Sequence, residues 1–240
     1  MSLRFLEPIF DENAQPDPLG SEADHRIANN LMLIAGLVRL RASHLQDKPN
    51  PSADDIRIVL KETGARIDCV SQLHRLLVNN SQGEIDLAEY LRYIVEMTVS
   101  SLSADQQCSL ILDMHSPFNV PAKQAVGVGL AVQEVVANSL KYAHPTGVDG
   151  EIMVNLKESE RPDAFVVEIA DDGVGFPEGF DPKTSDTLGM RVLRSLATQL
   201  RAELEFDASG IGLCVQLVVP KVRPAPPGER NPATGTAACN

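Results

Sequence analysis

The chain has 240 residues, of which 43% are hydrophobic and 22% charged, and its formal net charge is −12 at pH 7. These values are typical of a globular protein with one large or two small domains. The acidic balance excludes a general role in coating nucleic acid, which needs a basic surface. The four cysteines are too widely spaced for a zinc site or a disulfide framework. Because no apolar run reaches the ~18 residues of a membrane-spanning helix, we expect a cytoplasmic protein.

Both ends of the chain are predicted to lack regular structure. Residues 1–20 contain Pro8, Pro16 and Pro18, which indicates a flexible leader. Residues 221–240 are rich in proline and are predicted to be a disordered tail. Because the leader is too short to form a sensing domain, we expect a kinase that a separate protein controls, a phosphotransferase, or a fragment of a longer protein.

Residues 21–82 are predicted to form two helices joined by a short break. Apolar residues recur at spacings of three, four and seven, which indicates one apolar stripe on each helix. The break lies at 47–51, which contains two prolines, and Ser52 is a plausible N-cap for the second helix. The stripes comprise Ile27, Leu31, Ile34, Val38 and Leu45, then Ile56, Leu60, Thr63, Ile67, Val70 and Leu77. Neither helix can bury its stripe alone, so two antiparallel hairpins could pair into a four-helix bundle.

Residues 83–220 alternate between helical and strand-like patterns. This order predicts an α/β sandwich, in which helices cover one face of a single mixed sheet. The predicted helices are 86–102, 123–143 and 190–200, and the predicted strands are 109–114, 151–157, 164–170, 202–206 and 212–219. The whole chain is therefore expected to be an α+β protein, with a helical hairpin followed by the sandwich.

The segment 170–177 contains the pattern D-x-G-x-G directly after a predicted strand. Asp171 offers a carboxylate that could accept a hydrogen bond from an amino group such as that of adenine. Gly173 and Gly175 allow a tight turn and a close approach of a ligand to the backbone. The alternative is a simple strand-ending turn, which also favours aspartate and glycine.

Glu134, Asn138 and Lys141 are spaced to share one face of an otherwise apolar predicted helix. A buried polar stripe needs partners. The side-chain oxygen of asparagine is a suitable ligand for Mg²⁺, and lysine can contact phosphate. The alternative is a buried asparagine that caps a neighbouring loop, beside an exposed lysine.

Gly189 lies just before the predicted helix 190–200, where free backbone amides favour phosphate. A plain loop-to-helix junction explains this segment equally well. On the first predicted helix, His25 lies opposite the apolar stripe, so its imidazole is expected to be exposed. With the nearby carboxylate of Glu22 it could act as a nucleophile, although a single surface histidine is common.

In this order, the four segments resemble two-component sensor histidine kinases. DHRIANNL, preceded by Glu22, resembles the phosphoacceptor box of the HWE and HisKA_2 groups. EVVANSLKYAHP resembles the N box, DDGVGFP the G1 box and TLGMRVLRSLATQL the G2 region of their ATPase domain. The resemblance spans about residues 21–220.

The resemblance implies a dimerization and histidine-phosphotransfer hairpin over 21–82 and a Bergerat-type (GHKL) ATPase domain over 83–220. It implies that His25 is phosphorylated from ATP, with Glu22 and Glu134 as further catalytic residues. The implied ligands are Asn138 for Mg²⁺ and the following residues for the nucleotide: Asn138, Lys141, Asp171, Gly173, Gly175, Gly189 and Met190. A response-regulator receiver would then take the phosphoryl group on an aspartate.

Three functions remain open from the sequence. The first is an active histidine kinase that works as a homodimer. The second is a phosphotransferase or receiver phosphatase with a vestigial ATPase domain, and the third is a GHKL-type ATPase or protein-serine kinase. Two departures from the family pattern bear on the lid over the nucleotide: the segment between the G1 and G2 motifs is short, and Gly210-Ile211 stands where a glycine–threonine pair is expected.

Overall fold

The structure is a computed structural model. It describes residues 35–36, 38–39, 52–78, 84–102, 108–115 and 117–222. Residue contacts divide the chain into two compact units, 1–71 and 72–240. Both predicted terminal segments lie outside the described residues, apart from 221 and 222. Glu22 and His25 lie outside them as well.

Helical structure is found in both predicted arms of the hairpin. Residues 35–36 and 38–39 are helical, and helix α1 spans Ala53–Val78. Within α1 the stripe residues Ile56, Leu60 and Ile67 are exposed, so the described chain leaves this apolar face open. The break at 47–51 is outside the described residues, and the antiparallel arrangement of the two arms stays a prediction.

The second unit contains three helices and seven strands. The helices are α2 (Leu87–Leu102), α3 (Ala122–Tyr142) and α4 (Leu188–Leu200). The strands are β1 (Glu84–Asp86), β2 (Cys108–Met114), β3 (Asn119–Pro121), β4 (Gly150–Glu158), β5 (Ala164–Asp171), β6 (Glu203–Asp207) and β7 (Leu213–Pro220). None of the helices in the described part of the chain is long and apolar enough to cross a membrane.

Five strands form one mixed sheet in the order β2-β4-β5-β7-β6. Strands β2 and β4 are parallel, and the other neighbours are antiparallel. The register sets Asp171, at the end of β5, opposite Ile152 on one side and Leu213 on the other. This central position gives Asp171 neighbours on both flanking strands.

The core lies on one face of this sheet. Alternate residues of the three central strands are buried: Ile152, Val154 and Leu156 on β4, Phe165, Val167 and Ile169 on β5, and Val215, Leu217 and Val219 on β7. Helix α3 packs against α2, α4 and β5, and it is buried around almost its whole circumference. The predicted helix-covered mixed sheet is therefore confirmed, with α3 as its central helix.

Two short strands were not predicted. Strands β1 and β3 form a separate antiparallel pair of three residues each, which is too short to show an alternating pattern. Asp86 holds this pair together, because its Oδ1 accepts hydrogen bonds from the amides of Ala88 (3.1 Å) and Phe118 (3.0 Å). The same contact anchors the start of α2.

Helix α4 begins two residues earlier than the pattern predicts. It starts at Leu188 after Thr187, so Gly189 lies inside its first turn rather than before it. The helix ends at Leu200 and is capped by Arg201, whose φ of 54° is left-handed and whose amide donates to the carbonyls of Ala197 and Thr198. The first amides of a helix have no intrahelical acceptor, so Gly189 is still presented at a helix N-terminus.

Candidate functional site

Asp171 lies at the end of β5 with a side chain that is 8% exposed. Its Oδ2 accepts a hydrogen bond from the hydroxyl of Ser139 at 2.7 Å. Its Oδ1 accepts two more, from the amides of Gly173 (3.1 Å) and Leu213 (3.2 Å). A carboxylate has about four acceptor positions, so these three bonds orient Asp171 and leave capacity for one further donor.

The loop after Asp171 packs against the end of α3, and this contact requires glycine. A Cβ on Gly173 would lie 2.5 Å from the carbonyl oxygen of Ala143. The next amide, of Val174, donates to that same oxygen at 2.9 Å. Gly175 has a φ of +67°, a conformation that side chains disfavour. The predicted tight turn is therefore present, and Gly173 makes room for the backbone of Ala143, whereas the predicted approach of a ligand to this loop stays a prediction.

A third glycine of the site was missed in the sequence. Gly212 has a φ of +76°, and a Cβ there would overlap the carbonyl oxygen of Asp171. Gly210 has no neighbouring atom within 4 Å. The glycine required by the site is thus Gly212, two positions after the one assigned from the sequence. The only available signal was a glycine immediately before a strand.

The polar stripe of α3 faces the first turn of α4. A Cβ on Gly189 would lie 3.2 Å from both Oε1 of Glu134 and Nδ2 of Asn138. Glu134 is 2% exposed, whereas Asn138 and Lys141 are half-buried. Glu134 and Asn138 therefore share one face of α3, as predicted. The absence of a side chain on Gly189 allows α4 to approach this face closely. Met190, the next residue, is buried.

Ser139 connects the two halves of the site and was not singled out in the sequence. It follows Asn138 directly on α3, and its hydroxyl donates to Asp171. Ser139 is itself buried. The structure thus brings Glu134, Asn138, Asp171, Gly173 and Gly189 into one region. The only sequence signal for Ser139 was that it is a small polar residue beside Asn138 in an apolar helix.

The segment between the two glycine motifs is held by α4. The guanidinium of Arg194 donates to the carbonyls of Pro182 (3.1 Å) and Ser185 (2.6 Å). Asp181 accepts bonds from the amide of Lys183 and the hydroxyl of Thr184, both at 2.9 Å. These bonds lower the pKa of Asp181, the amide of Lys183 contributing most.

Three aromatic rings anchor the other end of this segment. Phe176 stacks on Phe180 with ring centroids 4.9 Å apart, and it meets the edge of Phe206 on β6 at 5.7 Å. Together with the Arg194 contacts, they hold residues 176–187 against α4 and β6. The short segment is therefore folded back on the domain.

The oxygen ligands of this site suit a metal ion whose other ligands are phosphate groups and water. Among the described residues, no group of three or more His, Cys, Asp or Glu side chains could hold a metal. Mg²⁺ is commonly held by one or two protein oxygens together with phosphates and water. The oxygen of Asn138, beside the Glu134 carboxylate, fits that role.

Comparisons with known families match most of the chain. Residues 22–102 match a family described as histidine kinase, and residues 104–219 match the histidine kinase-like ATPase domain. The chain belongs to the histidine kinase family. ATPase domains of this fold use ATP, usually with Mg²⁺.

Two curated relatives support this membership. The sensor histidine kinase PdtaS of Mycobacterium tuberculosis is 27% identical over 209 residues, which cover 83% of this chain and 38% of the relative. Blue-light-activated histidine kinase 2 of Erythrobacter litoralis is 25% identical over 216 residues, or 88% of this chain and 59% of the relative. The chain therefore corresponds to only part of the length of these relatives.

Solved structures support the fold. A blue-light-activated histidine kinase of E. litoralis matches with a TM-score of 0.65 and 23% identity, covering 86% of this chain and 61% of that one. Its separate histidine kinase domain matches with a TM-score of 0.59 and 23% identity, covering 78% and 96% of the two chains. The Bergerat-type fold expected from the resemblance is confirmed.

Proposed function

We propose that this chain is an ATP-dependent histidine kinase that phosphorylates itself on His25 and passes the phosphoryl group to an aspartate of a receiver domain. The observation that carries the proposal is the convergence of Asp171, Asn138 and Gly189 in one region of an ATPase fold. That region belongs to a chain that also contains the E-x-x-H-R-x-x-N-N-L segment. The roles below extend this proposal to single residues.

Asp171 would bind the adenine end of the nucleotide. Three bonds from Ser139, Gly173 and Leu213 fix its carboxylate, and its remaining acceptor capacity suits the exocyclic amine of adenine. Gly173 and Gly175 would let the base approach the backbone of this loop. A fixed acceptor pays little ordering entropy on binding, so its hydrogen bond contributes strongly to affinity.

Asn138 and Lys141 would act at the phosphate end. Asn138 would hold Mg²⁺ through its side-chain oxygen, with Glu134 beside it, and Lys141 would contact phosphate. The bound ion neutralises phosphate charge during transfer. Gly189 and Met190 would contribute the amides of the first turn of α4, where the positive end of the helix dipole favours phosphate.

The transfer itself would use the hairpin. An imidazole nitrogen of His25 would attack the γ-phosphorus of ATP, with Glu22 holding and polarising the ring. The new N–P bond forms as the bond from the γ-phosphorus to the bridging oxygen breaks, and ADP leaves. Such transfer depends mainly on positioning and charge neutralisation. The phosphoryl group would then pass from nitrogen to a carboxylate oxygen of the receiver.

The proposed reaction gives a separate role to each of two regions of the chain. We assign residues 21–82 to dimerization and phosphotransfer and residues 83–220 to ATP binding, between a leader and a tail. Histidine kinases typically form dimers and phosphorylate response regulators. The exposed stripe of Ile56, Leu60 and Ile67 on α1 supports pairing with a second copy. A separate sensing protein would then control the homodimer.

Labelling the purified chain with ATP radiolabelled in its γ-phosphate tests this proposal. We expect a label that is lost in acid and kept in alkali, as a phosphorus–nitrogen bond requires, and that moves to an added receiver domain. A label that is stable in acid would instead indicate a serine ester and a protein-serine kinase. Absence of both ATP binding and labelling would favour the phosphotransferase alternative, whose ATPase domain is vestigial.

A further inference from the structure

His144, the second residue after α3, is bonded to the loop that carries the adenine-binding aspartate. Its Nε2 lies 2.8 Å from Oδ1 of Asp172. The imidazole is 17% exposed, whereas the carboxylate of Asp172 is 49% exposed. Because Asp172 directly follows Asp171, this contact joins the end of the α3 motif to the start of the glycine loop.

Asp172 also fixes the start of β4. Its Oδ1 accepts a hydrogen bond from the amide of Glu151 at 2.8 Å, and its own amide donates to the carbonyl of Glu151. The amide of Glu151 is the main cause that lowers the pKa of Asp172, and the bond from His144 lowers it further. The carboxylate is therefore ionised throughout the neutral pH range.

The imidazole of His144 fills a space that is open because β4 begins with a glycine. A Cβ on Gly150, the first residue of β4, would overlap the ring. His144 also lines one cleft together with Ser139 and Asp171, two residues of the proposed adenine site. The pair is thus built into the site rather than lying on a remote surface.

We propose that His144 is a positioning residue for the nucleotide, which holds Asp172 and thereby the 171–175 loop in the conformation that binds adenine. The proposal rests on the proposed function of the site. The loop is held from two sides: the amide of Val174 bonds to the carbonyl of Ala143, and Asp172 bonds to His144. Without the second contact, the backbone between Asp171 and Val174 has fewer constraints, so nucleotide binding must order it.

Calorimetric titrations with Mg–ATP test the proposal. His144→Leu removes the bond to Asp172 and should bind Mg–ATP about three- to tenfold more weakly than the wild type. His144→Gln keeps a hydrogen-bond donor at this position, so it should recover most of the wild-type affinity.

His115→Gln is the matched control. His115 also pairs with an aspartate, Asp113, but at 3.7 Å and with side chains that are 92% and 60% exposed. It should keep the affinity of the wild type.

The two proposals fail in different ways. A wild type that does not bind ATP would contradict the proposed function. A wild type that binds ATP, alongside a folded His144→Leu of equal affinity, would overturn the role of His144. If His144→Leu does not fold in a thermal melt, Asp172→Ala decides, because it removes the same contact from the side chain that is 49% exposed. A folded Asp172→Ala that binds Mg–ATP as tightly as the wild type overturns the proposal.

Discussion

Asp171 serves the fold and the proposed ligand with the same carboxylate. Its oxygens accept bonds from Ser139, Gly173 and Leu213, which join α3, the glycine loop and β7. An amide in this position has only one acceptor oxygen and would point its NH₂ group at one of these donors. A change at Asp171 therefore affects stability as well as binding.

We predict that Asp171→Asn weakens ATP binding about tenfold to a hundredfold, as expected for the loss of a charge-assisted bond. It should also destabilise the domain by about 1–3 kcal/mol, because one donor is left facing the new NH₂ group. Calorimetry and a thermal melt measure the two effects. Asp207→Asn is the control, since Asp207 is an exposed aspartate at the end of a strand and accepts a hydrogen bond from the amide of Ser209. Unchanged ATP affinity in Asp171→Asn would remove Asp171 from the adenine site.

Asn138 is proposed to act at the phosphate end of the site, so its loss should separate binding from transfer. We predict that Asn138→Ala lowers the rate of autophosphorylation by more than about tenfold while ATP affinity changes much less, because the adenine contact at Asp171 remains. Labelling rates and calorimetry measure the two quantities. Asn155→Ala, on the opposite face of the sheet from the buried residues of β4, is the control. A variant that labels at the wild-type rate would return Asn138 to a structural role.

At the scale of elements, helix α4 positions two features: the amides of its own first turn and the preceding segment, residues 176–187. Arg194 reaches back across this junction to two carbonyls, those of Pro182 and Ser185. The aromatic group of Phe176, Phe180 and Phe206 fixes the other end. The segment is therefore ordered by side chains of the domain itself, although it is short.

We predict that Arg194→Met loosens this segment. The two lost bonds should accelerate amide hydrogen exchange in residues 183–187 and reduce stability by about 1–2 kcal/mol. Arg191→Met is the matched control, because Arg191 is exposed on the same helix and its replacement should stay within about 0.5 kcal/mol. Equal exchange in the two variants would show that Arg194 does not hold the segment.

The long elements were predictable because burial leaves a periodic signal. The apolar face of α3 and the alternation in β4 and β5 give the sheet, its helical cover and the location of Glu134 and Asn138. Strands β1 and β3 were missed because three residues cannot show a period. Gly212 and Ser139 were missed for a different reason. Both contact Asp171, but Gly212 lies 41 positions after it and Ser139 lies 32 positions before it in the chain. Local sequence patterns carry no signal for contacts between such distant positions.

At the scale of the whole molecule, the proposed reaction joins residues of two regions. The ATPase fold and the residues proposed to bind the nucleotide lie within the described part of the chain, whereas His25 and Glu22 lie outside it. The proposal that His25 accepts the phosphoryl group rests on the phosphoacceptor segment and on the match of residues 22–102 to the histidine kinase family. A direct test must therefore act on His25 itself.

Labelling of His25→Ala with γ-labelled ATP, beside the wild type and His115→Ala, is that test. We predict that the wild type and His115→Ala label equally and that His25→Ala does not label, although it binds ATP as the wild type does. Its stability should stay within about 0.5 kcal/mol of the wild type, as expected for an exposed side chain. A folded His25→Ala that still takes up the label would contradict the account.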